Sequence, residues 1–384
     1  MLKKTYKYRL YPTKKQTKAL QLSLDACRWI YNKTLETRKT AWVERQESVS
    51  LYDTSNLIVQ WKTENPNLVN AHSQCLQNAQ LRVDLAFKAF FRRVKAKENP
   101  GYPRFRGYDR YDSFTFPQSG FRFNDDKLSL SKVGSIRIRK HREIEGSVKT
   151  LTVRRTPTGK WWAAFSCEVL PEPLPRIEAV VGIDVGLESF ATFSTGEKIE
   201  NPRFFKIEEK NLAKAQQKLS KAEKGTPERA KNRKVVAHIH ERIANKRKDF
   251  AHKLSLKLVQ MFQLIAFEKL NIKDMLSNHT KVFGHKLNKS IGDVAWNQFI
   301  QFTAYKAECA ARTVVFVDPR NTSKMCSRCG QIVEKTLSDR VHNCSCGLVL
   351  DRDHNASLNI LRLGMESLGK DFNPSPLKLP AYSR

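Results

Sequence analysis

The chain is short of acidic residues. Only 38 Asp and Glu stand against 69 Lys and Arg, which leaves a formal net charge of +31 over 384 residues. A surplus of that size exceeds what solubility needs and points to a polyanionic partner, nucleic acid first and an anionic membrane surface second. Long apolar runs are missing too. Every hydrophobic stretch is broken by charge within a few residues, which argues against a membrane-spanning helix. The first residues, Met1 to Lys7, lack the apolar core of a secretion signal. Cysteine is sparse, eight residues in all, of which Cys27, Cys75, Cys167 and Cys309 are scattered. That density excludes a disulfide scaffold and suits a reducing interior with one metal site. With 40% hydrophobic and 28% charged residues the chain reads as globular. It shows no internal repeat of the kind that builds a solenoid.

What is present divides into regions. Residues 3–11 alternate as a short strand that Pro12 ends, and Thr13-Lys14-Lys15-Gln16 has the spacing of a capping box. A helix is expected from there to about Trp42, its buried face marked by Leu20, Leu24, Cys27, Ile30 and Tyr31. A second helix is expected over Ser73–Lys95, with Leu76, Ala79, Val83, Ala86, Phe87, Phe90 and Val94 at helical period. After Asn99-Pro100-Gly101 short strands separated by turns predict a small barrel or sandwich that the first strand joins. Pro171 to Pro175 reads as a linker. An α/β pattern follows: strands at 179–184 and 190–193, Lys-rich helices at about 206–222 and 228–260, and a strand over Leu264–Phe267 ending at Glu268. A polar loop holding Gly284 and Asn288 then leads to a helix at about 292–311 and a strand at 313–317. A last helix starts near Asp353, and the final residues read as frayed.

Three carboxylates sit where an ordinary core would not put them. Asp184 and Glu268 each end an apolar strand, and Asp353 opens an amphipathic helix. Taken singly, an Asp after a strand is a common turn former and a Glu there simply faces water. Together they would make an all-oxygen site for Mg²⁺ or Mn²⁺. Two such ions roughly 3.5–4 Å apart can activate water and steady the leaving oxygen of a phosphodiester.

Four further cysteines cluster. Cys326 and Cys329 form C-x2-C, and Cys344 and Cys346 form C-x-C. Two close thiolate pairs suit a closed, structural Zn²⁺ site. Elsewhere Tyr102, Arg104, Phe105 and Arg106 interleave rings and guanidinium groups, as a contact with bases and phosphates requires, though aromatics in a barrel hairpin would read the same way. Ser55, Gln77 and Gln118 are candidates for reading base edges, since Gln can pair bidentately with adenine. His238-Ile239-His240 matches the His-hydrophobic-His pattern of nucleases that attack DNA with a tyrosine. Here it falls in a helical pattern, where residues two apart point to different faces.

Taken in order, Gly182-Ile183-Asp184-Val185-Gly186, Phe267-Glu268-Lys269-Leu270, Cys326-Ser327-Arg328-Cys329-Gly330 and Asp351-Arg352-Asp353-His354-Asn355-Ala356 resemble the transposon-encoded TnpB family, compact relatives of type V CRISPR effectors. Tyr11-Pro12-Thr13 with Gln16, the segment 101–106 and the segment 242–249 extend the resemblance over nearly the whole chain. It implies an α/β nuclease of RNase H-like (RuvC) fold with a zinc insertion, a helical recognition domain and a wedge β-barrel. The implied layout is 1–12 as the first barrel strand, 13–98 helical, 99–172 wedge barrel, 173–320 nuclease, 321–350 zinc insertion, 351–370 last nuclease helix and 371–384 flexible tail.

The implied activity is RNA-guided DNA cleavage next to a short target-adjacent motif. Asp184, Glu268 and Asp353 would be the catalytic metal ligands, and Asp351 not a primary one. Cofactors would be Mg²⁺ or Mn²⁺, Zn²⁺ and a guide RNA. The partners would be that RNA and double-stranded target DNA, with no membrane, for a monomer bound to RNA in a prokaryotic cytoplasm and acting at the nucleoid. Many relatives carry C-x2-C in the second cysteine pair, so Cys344-Ser345-Cys346 departs from the pattern and leaves room for His342 as a substitute ligand. Two other readings stay open: a transposase that needs no guide, and a nuclease-inactive RNA-guided regulator, against which the intact carboxylate set speaks.

Overall fold

The computed structural model describes residues 1–124, 126–271, 275, 284–336 and 338–369. The tail expected over 371–384 lies outside them. Among the described residues no helix is long and apolar enough to cross a membrane. The chain forms two compact units, Met1–Leu170 and Pro171–Arg384.

In the first unit seven strands make one antiparallel sheet: β1 (Leu2–Tyr11), β2 (Ser113–Phe116), β3 (Phe121–Asn124), β4 (Lys127–Leu130), β5 (Gly134–Arg139), β6 (Ser147–Arg155) and β7 (Trp161–Val169). Their order is β2-β6-β7-β1-β5-β4-β3, so the first strand sits at the centre. Alternation drives this. Tyr6, Tyr8 and Leu10 of β1 and Trp161, Ala163, Phe165 and Cys167 of β7 all turn inward, in a register that sets Tyr6 opposite Phe165. The sheet curls until its edges meet through side chains: Phe116 of β2 and Phe121 of β3 have ring centroids 6.2 Å apart. It is a nearly closed barrel. β2 pairs with β6 and β3 with β4, so Gln118 lies on a connection between the two edge strands.

Three helices are inserted after β1: α1 (Lys14–Arg45), α2 (Leu51–Glu64) and α3 (Ser73–Lys95). Thr13 caps α1 in a reciprocal box with Gln16, as the spacing predicts. Helix α2 was not expected, although Ser50 and Asp53 form a second capping box and Thr54, Ile58 and Trp61 bury one face. On α3 the expected apolar face ends early, because Val94 is exposed. Arg82 of α3 ties to β2, donating to the Ser113 carbonyl (2.7 Å) and the Thr115 hydroxyl (2.9 Å).

The second unit holds a five-stranded sheet of β8 (Val180–Asp184), β9 (Ser189–Phe193), β10 (Lys198–Glu200), β11 (Leu264–Glu268) and β12 (Thr313–Val317), in the order β10-β9-β8-β11-β12. β8, β11 and β12 run parallel, while β9 and β10 fold back antiparallel. Helices α4 (Phe204–Lys221) and α5 (Pro227–Met261) precede β11, and α6 (Gly284–Val294) and α7 (Trp296–Cys309) precede β12. The polar loop expected around Gly284 and Asn288 is instead helical. Ile291 and Val294 enter the core, and the break falls at Ala295, whose φ is 56°. Packing has overridden weak local propensity here. The hairpin β13 (Val341–Asn343) and β14 (Val349–Asp351) leads into α8 (Arg352–Glu366).

Period-two alternation sorts the parallel strands. Val181, Ile183, Ile265 and Phe267 pack with α5 and α7 residues such as Leu258 and Phe299. Val180, Leu264 and Ala266 pack with Ile360 and Leu361 of α8 on the opposite face. Helices therefore cover both faces of the parallel strands.

Candidate functional site

Asp184 shares the parity of Val180 and Gly182, and Glu268 that of Leu264 and Ala266, so both strand-end carboxylates lie on the α8 face. The register of β8 on β11, with Ile183 opposite Phe267, sets the two strand ends side by side. Helix α8 runs back along this face from the carboxyl ends of the strands. It comes so close that a methyl group on Gly182 would lie 2.2 Å from the Ser357 carbonyl oxygen, and one on Gly364 would lie 2.7 Å from Cβ of Ala266. From that fixed contact, Asp353 is one helical turn back from Ser357, about 6 Å along the axis. Asp184 is two residues on from Gly182, about 6.6 Å along the strand. The two displacements run the same way, and the three carboxylates converge.

The electrostatics reflect that convergence. Asp184 is held well above the usual carboxylate range by burial first, then by the charges of Glu268 and Asp353, while Arg352 acts in the opposite sense. Burial also raises Glu268, against a hydrogen bond from the Thr322 hydroxyl that favours its ionised form. Asp353 is paired with Nε of Arg352 at 3.2 Å. Asp351 is engaged elsewhere. It caps α8 by accepting from the N–H groups of Asp353 and His354 (both 3.1 Å), and it pairs with Lys198 at 2.8 Å. Burial pushes Asp351 up, but the Lys198 hydrogen bond and these backbone donors leave it below its ordinary value.

The cysteines lie nearby in the same unit. Among the described residues, Cys326, Cys329, Cys344 and Cys346 form the one group of His, Cys, Asp or Glu residues whose ligand atoms all lie within 4.8 Å of one another. The carboxylate trio is more open than that. The Cys326–Cys346 and Cys329–Cys344 sulfur pairs are 3.7 and 3.6 Å apart. Sulfurs about 2.3 Å from a tetrahedral zinc would stand about 3.8 Å from each other. The donor set and its spacing thus fit zinc. A hydrogen bond from the Cys346 backbone favours the Cys344 thiolate and brings it to about 7. A backbone hydrogen bond at Gln331 favours the Cys329 thiolate, but slight desolvation and the other three thiols together raise it to about 11. His342 does not join the cluster. It is buried, with Nδ1 against the Lys335 amine, and burial followed by the Lys335 charge lowers its pKa.

Residues proposed to touch nucleic acid all belong to the first unit. Segment 101–107 is neither strand nor hairpin. Tyr102 packs edge-on against Phe87 and Phe90, with centroids at 5.7 and 5.4 Å, yet remains 45% exposed. Arg104 and Phe105 face solvent, and Arg106 lies 5.6 Å from the Tyr31 ring with its backbone clamped by Asn32. Gln77 and Gln118 are exposed, whereas the Ser55 hydroxyl donates to the Leu51 carbonyl at 2.8 Å. His238 and His240 lie on α5, exposed.

Sequence reasoning missed Thr322, which touches Glu268, and Asn359, whose side chain bonds the carbonyls of Thr322 and Met325 at 2.8 and 2.6 Å. One signal was available: Asn355 and Asn359 stand four apart on the buried stripe of α8, where apolar residues are expected.

Comparison with known proteins adds the following. A family model described as "Probable transposase" matches residues 164–279, and one described as "Cas12f1-like, TNB domain" matches 296–360. A third, described as a helix-turn-helix domain, matches 1–47, where this chain has one strand and one long helix. A Streptomyces pristinaespiralis protein, provisionally named an RNA-guided DNA endonuclease, is 37% identical over 95% of this chain and 90% of its own. InsQ of Escherichia coli, named in the same provisional terms, is 29% identical over 94% and 92%. The TnpB-like protein L79 of a mimivirus is 30% identical over 57% of this chain and 44% of its own. The solved structure of the mini RNA-guided endonuclease CRISPR-Cas_phi3 is only loosely alike, with a TM-score of 0.49 at 10% identity over 94% of this chain and 92% of that one.

Proposed function

The chain belongs to the TnpB family, and from that membership we propose that it is an RNA-guided DNA endonuclease that cuts with Asp184, Glu268 and Asp353. One observation carries the assignment of the cutting site. Two adjacent strand ends and one helix start bring three partly buried carboxylates to one end of the sheet, where the charges of Glu268 and Asp353 raise the cost of ionising Asp184. Arg352 offsets part of this mutual repulsion, and a hard divalent cation would offset the rest.

The parallel strands covered by helices on both faces support an RNase H-like nuclease of RuvC type, with the four-cysteine segment as its zinc insertion. Asp184, Glu268 and Asp353 would hold Mg²⁺ or Mn²⁺. Bound there, the metal supplies an activated water and positive charge against the phosphate. The carboxylates act as ligands and not as proton carriers. Arg352, beside Asp353, adds positive charge where a phosphate would approach. Cleavage leaves 3′-hydroxyl and 5′-phosphate ends. The +31 surplus holds guide RNA and target DNA by their backbones and leaves sequence to base pairing. In the first unit, the helical and barrel parts grip the guide and inspect a short motif beside the target. Tyr102, Arg104, Phe105 and Arg106 make phosphate and stacking contacts, and Ser55, Gln77 and Gln118 are the base readers.

The test starts with sequencing the RNA that co-purifies. The wild-type complex should linearise members of a plasmid library that carry the sequence matching that RNA beside a randomised flanking motif, and spare an unmatched plasmid. Asp184→Ala should still bind the matched plasmid without cutting it. Cutting by protein stripped of RNA would instead favour a guide-free transposase, and wild-type binding without cutting would favour a regulator.

A further inference from the structure

The cysteine cluster and the carboxylate site are joined by one short turn. Asn321 adopts left-handed backbone (φ 62°), and its carbonyl accepts from the N–H groups of Lys324 (3.0 Å) and Met325 (2.8 Å). The turn runs directly into Cys326. At its start the Thr322 side chain is buried and its hydroxyl donates to Oε1 of Glu268. The same oxygen lies 3.1 Å from the Pro319 carbonyl, a second acceptor facing the one hydroxyl proton, and the shorter contact is the one to Glu268.

The turn is also fastened to α8. Nδ2 of Asn359 donates to the carbonyls of Thr322 (2.8 Å) and Met325 (2.6 Å). Asn355 donates to the Met325 carbonyl (2.8 Å) and accepts from the Ser327 N–H (3.0 Å). Both asparagines are fully buried, one turn apart on the helix that begins with Asp353. Buried amides so fully used make a rigid block. It holds a cysteine of the cluster at one end, a hydroxyl on Glu268 at the other, and the Asp353 helix along its side.

We infer that Thr322 is a positioning residue, whose hydroxyl fixes the Glu268 carboxylate so that the cysteine-anchored turn sets how tightly the carboxylate site holds a divalent cation. This rests on the reading of Glu268 as a cation ligand. A hydroxyl on one carboxylate oxygen restricts the rotation of the side chain and leaves the other oxygen for the ion.

The experiment uses the guide-bound protein and Mn²⁺. Mn²⁺ binding is followed by the EPR signal of the free ion, alongside cleavage against Mn²⁺ concentration, zinc content and melting temperature. Thr322→Val keeps the shape and removes the hydroxyl, Thr322→Ala removes it without added bulk, and Thr322→Ser restores it. Val and Ala should weaken Mn²⁺ binding by about 10–100-fold, the usual cost of losing a ligand's hydrogen-bond partner, and Ser should return it to within about threefold of wild type. Zinc content should not change in any of the three. A Val or Ala variant with wild-type Mn²⁺ affinity overturns the inference. So does parallel loss of zinc in both, because the hydroxyl would then be holding the turn and not Glu268. Glu268→Gln separates the two levels. If that variant still cuts, the assignment of Glu268 itself fails. If it is inactive while Thr322→Val behaves as wild type, only the role of Thr322 fails.

Discussion

Replacing Gly182 with alanine should disable cleavage without touching a charged residue. The added methyl would lie 2.2 Å from the Ser357 carbonyl oxygen, 2.5 Å from the Leu361 nitrogen and 2.8 Å from Cβ of Leu361. Two of these neighbours are backbone, so no side chain can swing aside. Ordinary contact begins at 3.4 Å, so α8 must withdraw by about 1.2 Å to make room. Overpacking of this kind costs about 3 kcal/mol, the upper end of the usual range. At about 2–4 °C per kcal/mol for a unit of this size, the melting temperature should fall by about 6–12 °C. The same withdrawal carries Asp353 away from Asp184, and about 1 Å of misplacement costs about 100-fold in rate. Guided plasmid cleavage and thermal unfolding read the two effects. Gly364→Ala should be milder, because its nearest contact, Cβ of Ala266 at 2.7 Å, is less severe than 2.2 Å, although that Cβ is fixed to the strand and cannot turn aside either. Gly107→Ala, with φ −68° and no neighbour within 4 Å, should be neutral. A Gly182→Ala protein that melts and cuts like wild type would refute the argument that this contact places the carboxylates.

Other outcomes follow from the same geometry. Asp184 has a folded-state pKa above its unfolded value, so it contributes stability that is complete at low pH and is lost as pH rises through the raised value. In EDTA the melting temperature should therefore decline from the ordinary carboxylate range upward, and Mg²⁺ should flatten the decline. A slope indifferent to Mg²⁺ would count against a cation site. Asp184→Asn should abolish cleavage yet raise the melting temperature in EDTA at neutral pH, because an amide escapes the cost that burial and two neighbouring carboxylates place on an ionisable group there. Cys326→Ser should lose zinc by metal analysis and melt lower, and unchanged zinc would exclude Cys326 as a ligand.

Much of this was legible from local chemistry. The Thr13–Gln16 box, the limits of Ser73–Lys95 and the strands ending at Asp184 and Glu268 depend on neighbours a few residues away, and pattern reveals them. Helix α2 could have been read from Ser50, Asp53 and the run Thr54, Ile58 and Trp61. The helix at Gly284 could not, since Gly and Asn argue against it locally and only the burial of Ile291 and Val294 compensates. The barrel's edges were equally hidden, because β2 and β3 are near in sequence but pair with other strands.

By itself the sequence determined the elements, the charge and the chemistry on offer: carboxylates at strand ends, thiols in pairs, and a basic surplus. Those properties belong to single residues or to short spacings. Only the tertiary structure decided that Asp184 and Glu268 share a face with Gly182, that α8 presses on that glycine, and that Thr322 reaches Glu268. Such contacts join residues far apart in the chain, and they arise from the fit of a helix against a sheet, which no local pattern encodes.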